Sequence, residues 1–88
     1  MDIEDKQVTI KLTKHASIKI AQRKISVEDI KHVILEPEWS ESDKFDTFLM
    51  HYIGTVREHF LRVIGRWEDK EIFIIVSAFF DRRLKRKL

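Results

Sequence analysis

The period of hydrophobic and polar positions changes several times along the chain, and each change marks an element. Val8, Ile10 and Leu12 alternate with Thr9 and Lys11, the two-residue period of a half-buried strand. Thr13 can cap a helix running through about Lys24, in which Ala16, Ile20 and Ala21 share one side and His15, Lys19, Gln22 and Arg23 the opposite polar arc. Ser26-Val27-Glu28-Asp29 opens a second helix with acids in its first turn, where the helix dipole favours them. Val27, Ile30, Val33 and Ile34 form its apolar stripe, and Pro37 ends it. Trp39 to Asp46 is polar and reads as a loop or irregular edge strand. Three strand patterns follow, Phe48 to Ile53, His59 to Trp67 and Ile72 to Phe80, with turns expected around Gly54 and Glu68-Asp69-Lys70. The last run is apolar on both faces and suits an interior strand. The order β-α-α-β-β-β predicts an α+β fold, two short helices on one face of a small antiparallel sheet.

Length and composition narrow this picture. At 88 residues the chain should be one domain, residues 1–88, whose modest core leaves room for a shallow site rather than an enclosed cavity. Two glycines, one proline and 43% hydrophobic residues describe an ordered globular chain. Cys is absent, so disulfides, thiolate-held metals and thiol nucleophiles are excluded, in keeping with a reducing cytoplasm. No apolar run approaches the roughly 20 residues of a membrane span, and the acidic start Met1-Asp2-Ile3-Glu4-Asp5 is unlike a secretory signal.

Charge is unevenly distributed. Arg82-Arg83-Leu84-Lys85-Arg86-Lys87 holds five basic residues, and subtracting them from the net of +2 leaves −3 for the rest. Glu36, Glu38, Glu41, Asp43 and Asp46 against Lys44 give a block of −4. On the first helix His15, Lys19 and Arg23 succeed one another at four-residue intervals, stacking cations that weaken a helix unless an anion lies across them. The stripe reads as a phosphate or RNA-backbone contact with a titratable imidazole at one end, and equally as a solvated face. His51 and His59 flank the Gly54 turn, where a hairpin could bring them together. Arg62 and Arg66 share one side of their strand and could continue the basic stripe. Ser77 interrupts an apolar strand, and its hydroxyl needs a partner if buried. His32 reads as structural or exposed.

Most chemistries lack their residues. There is no HExxH and no spaced acidic cluster for a metal, so no metal or other cofactor is expected. Gly54 and Gly65 stand too far apart for a phosphate loop, and no nucleophile elbow supports Ser-His-Asp chemistry. RNA cleavage asks for less, because the 2′-hydroxyl is the nucleophile. The protein need only position the strand, move protons and stabilise charge at phosphorus, which a His with several Arg, Lys and Ser groups on an open surface can do.

Several strings also resemble a known family. Lys14-His15-Ala16, Arg23, Ile25-Ser26-Val27-Glu28-Asp29-Ile30 and Val33-Ile34-Leu35-Glu36-Pro37 resemble the opening of the DUF4258 domains. Leu61-Arg62-Val63-Ile64, Ile75-Val76-Ser77-Ala78-Phe79 and Arg82-Arg83-Leu84-Lys85 resemble their later strands and basic end. That family is similar in turn to RelE-like and BrnT-like toxins. The resemblance implies a RelE-like fold, messenger-cleaving ribonuclease activity and a partner antitoxin. It matches the family's helix His to His15, its helix Arg to Arg23 and its strand-end Thr-Ala-Tyr to Ser77-Ala78-Phe79. Phe79 departs by lacking the phenol, and Lys19 stands where relatives carry Arg, without the bidentate fork.

Two expectations result. In the first, the chain is an endoribonuclease of a toxin–antitoxin pair working without metal. His15 moves the proton with His51 in reserve, and Arg23 and Ser77 complete the catalytic set. Lys19, Arg62, Phe79, Arg82 and Arg83 hold the RNA. In the second, Phe79 in place of Tyr and the −4 block mark a non-catalytic module that binds a protein or a nucleic acid.

Overall fold

The computed structural model describes residues 8–84. Its elements run β1 (Thr9–Leu12), α1 (Lys14–Gln22), α2 (Val27–Leu35), β2 (Trp39–Ser42), β3 (Met50–Val56), β4 (His59–Asp69) and β5 (Ile72–Phe80). The fold is α+β, with two helices and one five-stranded sheet ordered β1-β5-β4-β3-β2.

Both helix starts are set by hydroxyl caps. The Thr13 hydroxyl accepts from the Ala16 N–H at 3.1 Å, and that of Ser26 accepts from the Asp29 N–H at 3.0 Å. Helix α1 stops two residues short of Lys24, which takes a left-handed φ of 58° while the Ile25 N–H reaches back to the Ile20 carbonyl.

Three features of the sheet differ from the sequence expectation. It is mixed rather than antiparallel, because β1 pairs in parallel with β5 (Thr9 opposite Ile72, Leu12 opposite Ile75). The two helices lie between β1 and the remaining strands in the chain, and they return it to the far edge, from which β2 to β5 fold back as a meander. The polar segment Trp39–Ser42 takes the second of its two expected forms, an edge strand β2 exposed throughout, which adds a strand to the β-α-α-β-β-β order. The β3–β4 turn falls at Arg57-Glu58 and not at Gly54, which lies inside β3. His59 therefore pairs with Val56 and His51 with Ile64, and the two histidines do not meet. Strand β5 is interior, as its two apolar faces suggest.

Gly54 stays in the strand because space runs out there. A Cβ on Gly54 would lie 3.2 Å from a Val33 methyl, so any larger residue would have to push strand and α2 apart by a few tenths of an ångström. At Gly65 a Cβ would fall 2.1 Å from the Ile74 carbonyl and 2.7 Å from the Phe73 ring. The register shifts beside it, leaving Val76 as an extra residue between Ser77 and Ile75 on β5.

The core is the helix-covered side of the sheet. Leu61, Val63, Phe73 and Ile75 are fully buried against a cluster that includes Ala16, Ile20, Ile30 and Val33. Each large side chain taken from water contributes about 1.5–3 kcal/mol. Among the described residues the opposite side carries no helix, and there the strands display the polar residues considered next.

Candidate functional site

Three adjacent strands bring charged residues together on the helix-free side. Glu41 on β2 is the cross-strand partner of His51 on β3, and Arg62 on β4 is the partner of Phe79 on β5. His51 lies directly opposite Ile64, so it is the diagonal neighbour of Arg62, within reach of a long side chain. Asp43 follows β2 and Asp81 follows β5.

Arg62 is the centre of the arrangement. Its Nε donates to Asp81 Oδ2 at 2.9 Å, and its Nη1 donates to Glu41 Oε2 at 2.9 Å and to His51 Nδ1 at 2.8 Å. A guanidinium has donors only, so His51 Nδ1 must accept. The ring proton is thereby placed on Nε2, which donates to Asp43 Oδ1 at 2.7 Å. This arrangement fixes the orientation of the His51 ring, and one tautomer of it, between a carboxylate and a guanidinium.

The carboxylates are fixed in turn. The side chain of Asp81 is only 1% exposed, and Arg83 grips it through Nε at 3.0 Å, Nη2 at 3.0 Å and the backbone N–H at 3.1 Å. Hydrogen bonds from Arg83, joined by Arg62, hold the Asp81 carboxyl down at about 2 against the opposing effect of burial, and Asp81 raises Arg83. The hydrogen bond from His51 lowers Asp43 to about 2, with help from the backbone N–H groups of Asp46 and Phe45. Arg62 lowers Glu41 through its hydrogen bond. The second oxygen of Asp43 accepts from Phe45 N at 3.0 Å and Asp46 N at 2.9 Å, so one carboxylate fixes both the imidazole and the loop behind it. That loop presents Phe45 and Phe48 to solvent.

These residues line an open depression of about 540 Å³, in which His51, Arg62, Phe79, Lys44, Phe45 and Arg83 face one another. A smaller one of about 300 Å³, with His59, Phe60, Phe80 and Arg82 among its walls, shares Asp81 and Leu84 with it.

The expected site residues divide into two groups. His51, Arg62, Phe79 and Arg83 share the larger depression, and Arg82 lines the smaller. Arg23 joins from the other side of the sheet. Strand β1 pairs with β5 only as far as Ile75, and past that point Arg23 Nη1 donates to the Ala78 carbonyl at 2.8 Å with its guanidinium 6.0 Å from the centre of the Phe79 ring. His15 is exposed, and neither its side chain nor that of Lys19 has a hydrogen bond, ion pair or ring contact among the described residues. Ser77 is half-buried opposite Ile64, and its hydroxyl has no hydrogen bond among the described residues. Arg62 does not extend a basic stripe toward the exposed Arg66, because acids consume its charge. The basic run from Lys85 onward lies outside the described residues.

Sequence reasoning missed Asp43, Glu41 and Asp81 as partners. Glu41 and Asp43 stand two apart in a segment that pairs with the strand bearing His51, but only the register of β2 reveals it. Asp81 had a fainter signal, an acid directly after a nine-residue apolar strand. Among the described residues no three His, Asp or Glu side chains converge as metal ligands would, and no helix is long and apolar enough to cross a membrane.

A family model described as a domain of unknown function, DUF4258, matches residues 12–80. The chain belongs to the DUF4258 family. The matched DUF4258 region contains His51, Arg62 and Phe79, while Asp81 and Arg83 lie just past its end. No curated protein and no solved structure matches this DUF4258 chain.

Proposed function

We propose that the helix-free side of the sheet binds single-stranded RNA and cleaves it by attack of the 2′-hydroxyl on the adjoining phosphorus. The observation that carries this reading is the meeting at Phe79 of Arg23, which ends α1, with the depression holding His51, Arg62 and Arg83. It supports one path for a strand, from the cations of α1 around the edge of β5 beyond Ile75 to the imidazole of His51. Phe79 offers a face for a base, since stacking needs a ring and not a phenol. Arg62 and Arg83 meet the phosphate and stabilise its growing charge. His51 takes the 2′ proton, and Asp43 carries the resulting imidazolium as a carboxylate does in a hydrolase triad. The 2′-oxygen bonds to phosphorus, the bond to the 5′-oxygen breaks, and solvent in the open groove protonates the departing oxygen. The products are a 2′,3′-cyclic phosphate and a 5′-hydroxyl. This moves the proton-transfer role from His15 to His51 and leaves Lys19 and Arg23 as strand contacts.

The resemblance to RelE-like and BrnT-like toxins supports the same reading, and with it a RelE-like fold, a cytoplasmic site of action and a partner antitoxin. The test is incubation of the purified chain in EDTA with a labelled RNA and its 2′-O-methyl counterpart. Cleavage of the first alone, leaving cyclic phosphate ends, is expected. No cleavage of either, on naked RNA or ribosomes, would overturn it.

A second reading is favoured by the matching of Arg62 with Glu41 and Asp81, which leaves the groove internally balanced. In it the chain is a non-catalytic module that binds a protein or nucleic acid without cutting it. Binding of both RNAs without cleavage is its signature.

A further inference from the structure

We propose that Arg62 and Arg83 form a binding site for a single oxyanion of the phosphodiester class, and that filling this site frees His51 Nδ1 from Arg62. This deepens the ribonuclease reading above and rests on it for its biological meaning, though not for its test. The argument begins with the unequal use of the Arg62 guanidinium. Its side chain is nine-tenths buried, yet Nη2 carries no hydrogen bond among the described residues, while Nε and Nη1 serve three acceptors. An N–H pair left without a partner on a side chain this buried is costly, and an oxyanion in the depression that Arg62 lines would satisfy it. Arg83 lines the same depression and spends Nε and Nη2 on Asp81, leaving Nη1 as a second donor.

Occupancy has a consequence because of what Nη1 is doing. It donates at once to Glu41 and to the only lone pair of His51, so while that contact holds the imidazole has no acceptor to offer a substrate. An oxyanion that takes the far end of the guanidinium competes for this donor. Asp81 retains Nε throughout, so the guanidinium turns about a fixed, buried anchor and need not leave the site. His51 stays oriented because Asp43 holds Nε2 independently. The lone pair is exposed when, and only when, a phosphate is present to be attacked. Glu41, about half exposed, opposes the event by repelling the anion and competing for Nη1.

The experiment is a titration of the ring nitrogens of His51 by ¹⁵N NMR at constant ionic strength, using inorganic phosphate and then thymidylyl-thymidine, whose lack of a 2′-hydroxyl prevents cleavage. In the free protein the ring should show Nε2–H and a hydrogen-bonded Nδ1. Either ligand should shift Nδ1 and the Arg62 side-chain nitrogens with one binding curve, and chloride should shift neither. Arg83→Gln should weaken binding about tenfold, the loss of one charge-assisted hydrogen bond. Glu41→Gln, at a half-exposed position, should tighten it by removing the repulsion of the anion. Unchanged Nδ1 at saturating phosphate, an Nδ1–H tautomer, or an equal response to chloride each overturns the proposal. Its failure is distinguishable from that of the ribonuclease reading. His51-dependent RNA cleavage with no phosphate response overturns the masking alone, and a phosphate response without cleavage overturns the ribonuclease alone.

Discussion

Where α1 and α2 cover the sheet, the buried cluster is wholly hydrophobic, with Phe73, Ile75, Leu61 and Val63 meeting Ile30 and Val33. On the bare side the buried residues include Arg62 and Asp81, and Ile53, fully buried, stands outside that cluster. A side that served only to close the fold would be more stable with apolar residues in place of this pair, since a buried ion pair seldom repays its desolvation. The difference sets a wholly apolar side of the sheet against one that keeps buried charge.

The largest effects should separate the two sides. Phe73→Ala, on the covered side, should cost about 3–5 kcal/mol, measured by urea unfolding, because the vacated volume lies among fixed neighbours. On the bare side, Arg62→Met should cost about 3 kcal/mol by stranding Asp81, reduced by what Arg83 still supplies. Adding Asp81→Leu should recover more than half of that loss. If the double variant is instead as unstable as the sum of the singles, the two sides differ less than stated.

Acid sharpens the contrast. Asp43 and Asp81 titrate near 2 in the folded chain against an ordinary 3.8, so each contributes stability that is fully present above about pH 4 and lost as pH falls through 2. The urea midpoint should fall steeply between these values, and Asp43→Asn should flatten part of the slope. Equal slopes in the two proteins would contradict the role given to Asp43. The smallest effect belongs to neither side. Arg57 and Glu58 both hold positive φ, 51° and 70°, in the β3–β4 turn, and replacing them by Asn-Gly should stabilise the chain by about 1 kcal/mol through relief of left-handed backbone strain.

What could be read from the sequence follows the same division. Apolar periodicity located α1, α2 and the strands bearing Leu61 and Phe73, because the covered side obeys periods of 3.6 and 2. The parallel pairing of β1 with β5 was not legible, since alternation in Val8 to Leu12 gives a strand its sides but not its neighbour. Gly54 read as a turn because glycine usually marks one, whereas here its missing side chain makes room for Val33. His51 and Arg62 were legible as residue types with chemistry, but their partnership was not. It depends on the registers of β2, β3 and β4 together, and on Glu41 and Asp43, which in the sequence stand only as members of an acidic block. His15 drew attention through spacing along a helix, which says nothing of what lies across from it.

The central claim, that the working imidazole is the one held between Asp43 and Arg62, is tested most directly by comparing initial rates of RNA cleavage for His51→Ala and His15→Ala. Loss of about a hundredfold or more in the first, the usual value of a general base, with the second within about twofold of the parent, is predicted. The reverse pattern, with His15→Ala inactive and His51→Ala unaffected, would contradict it.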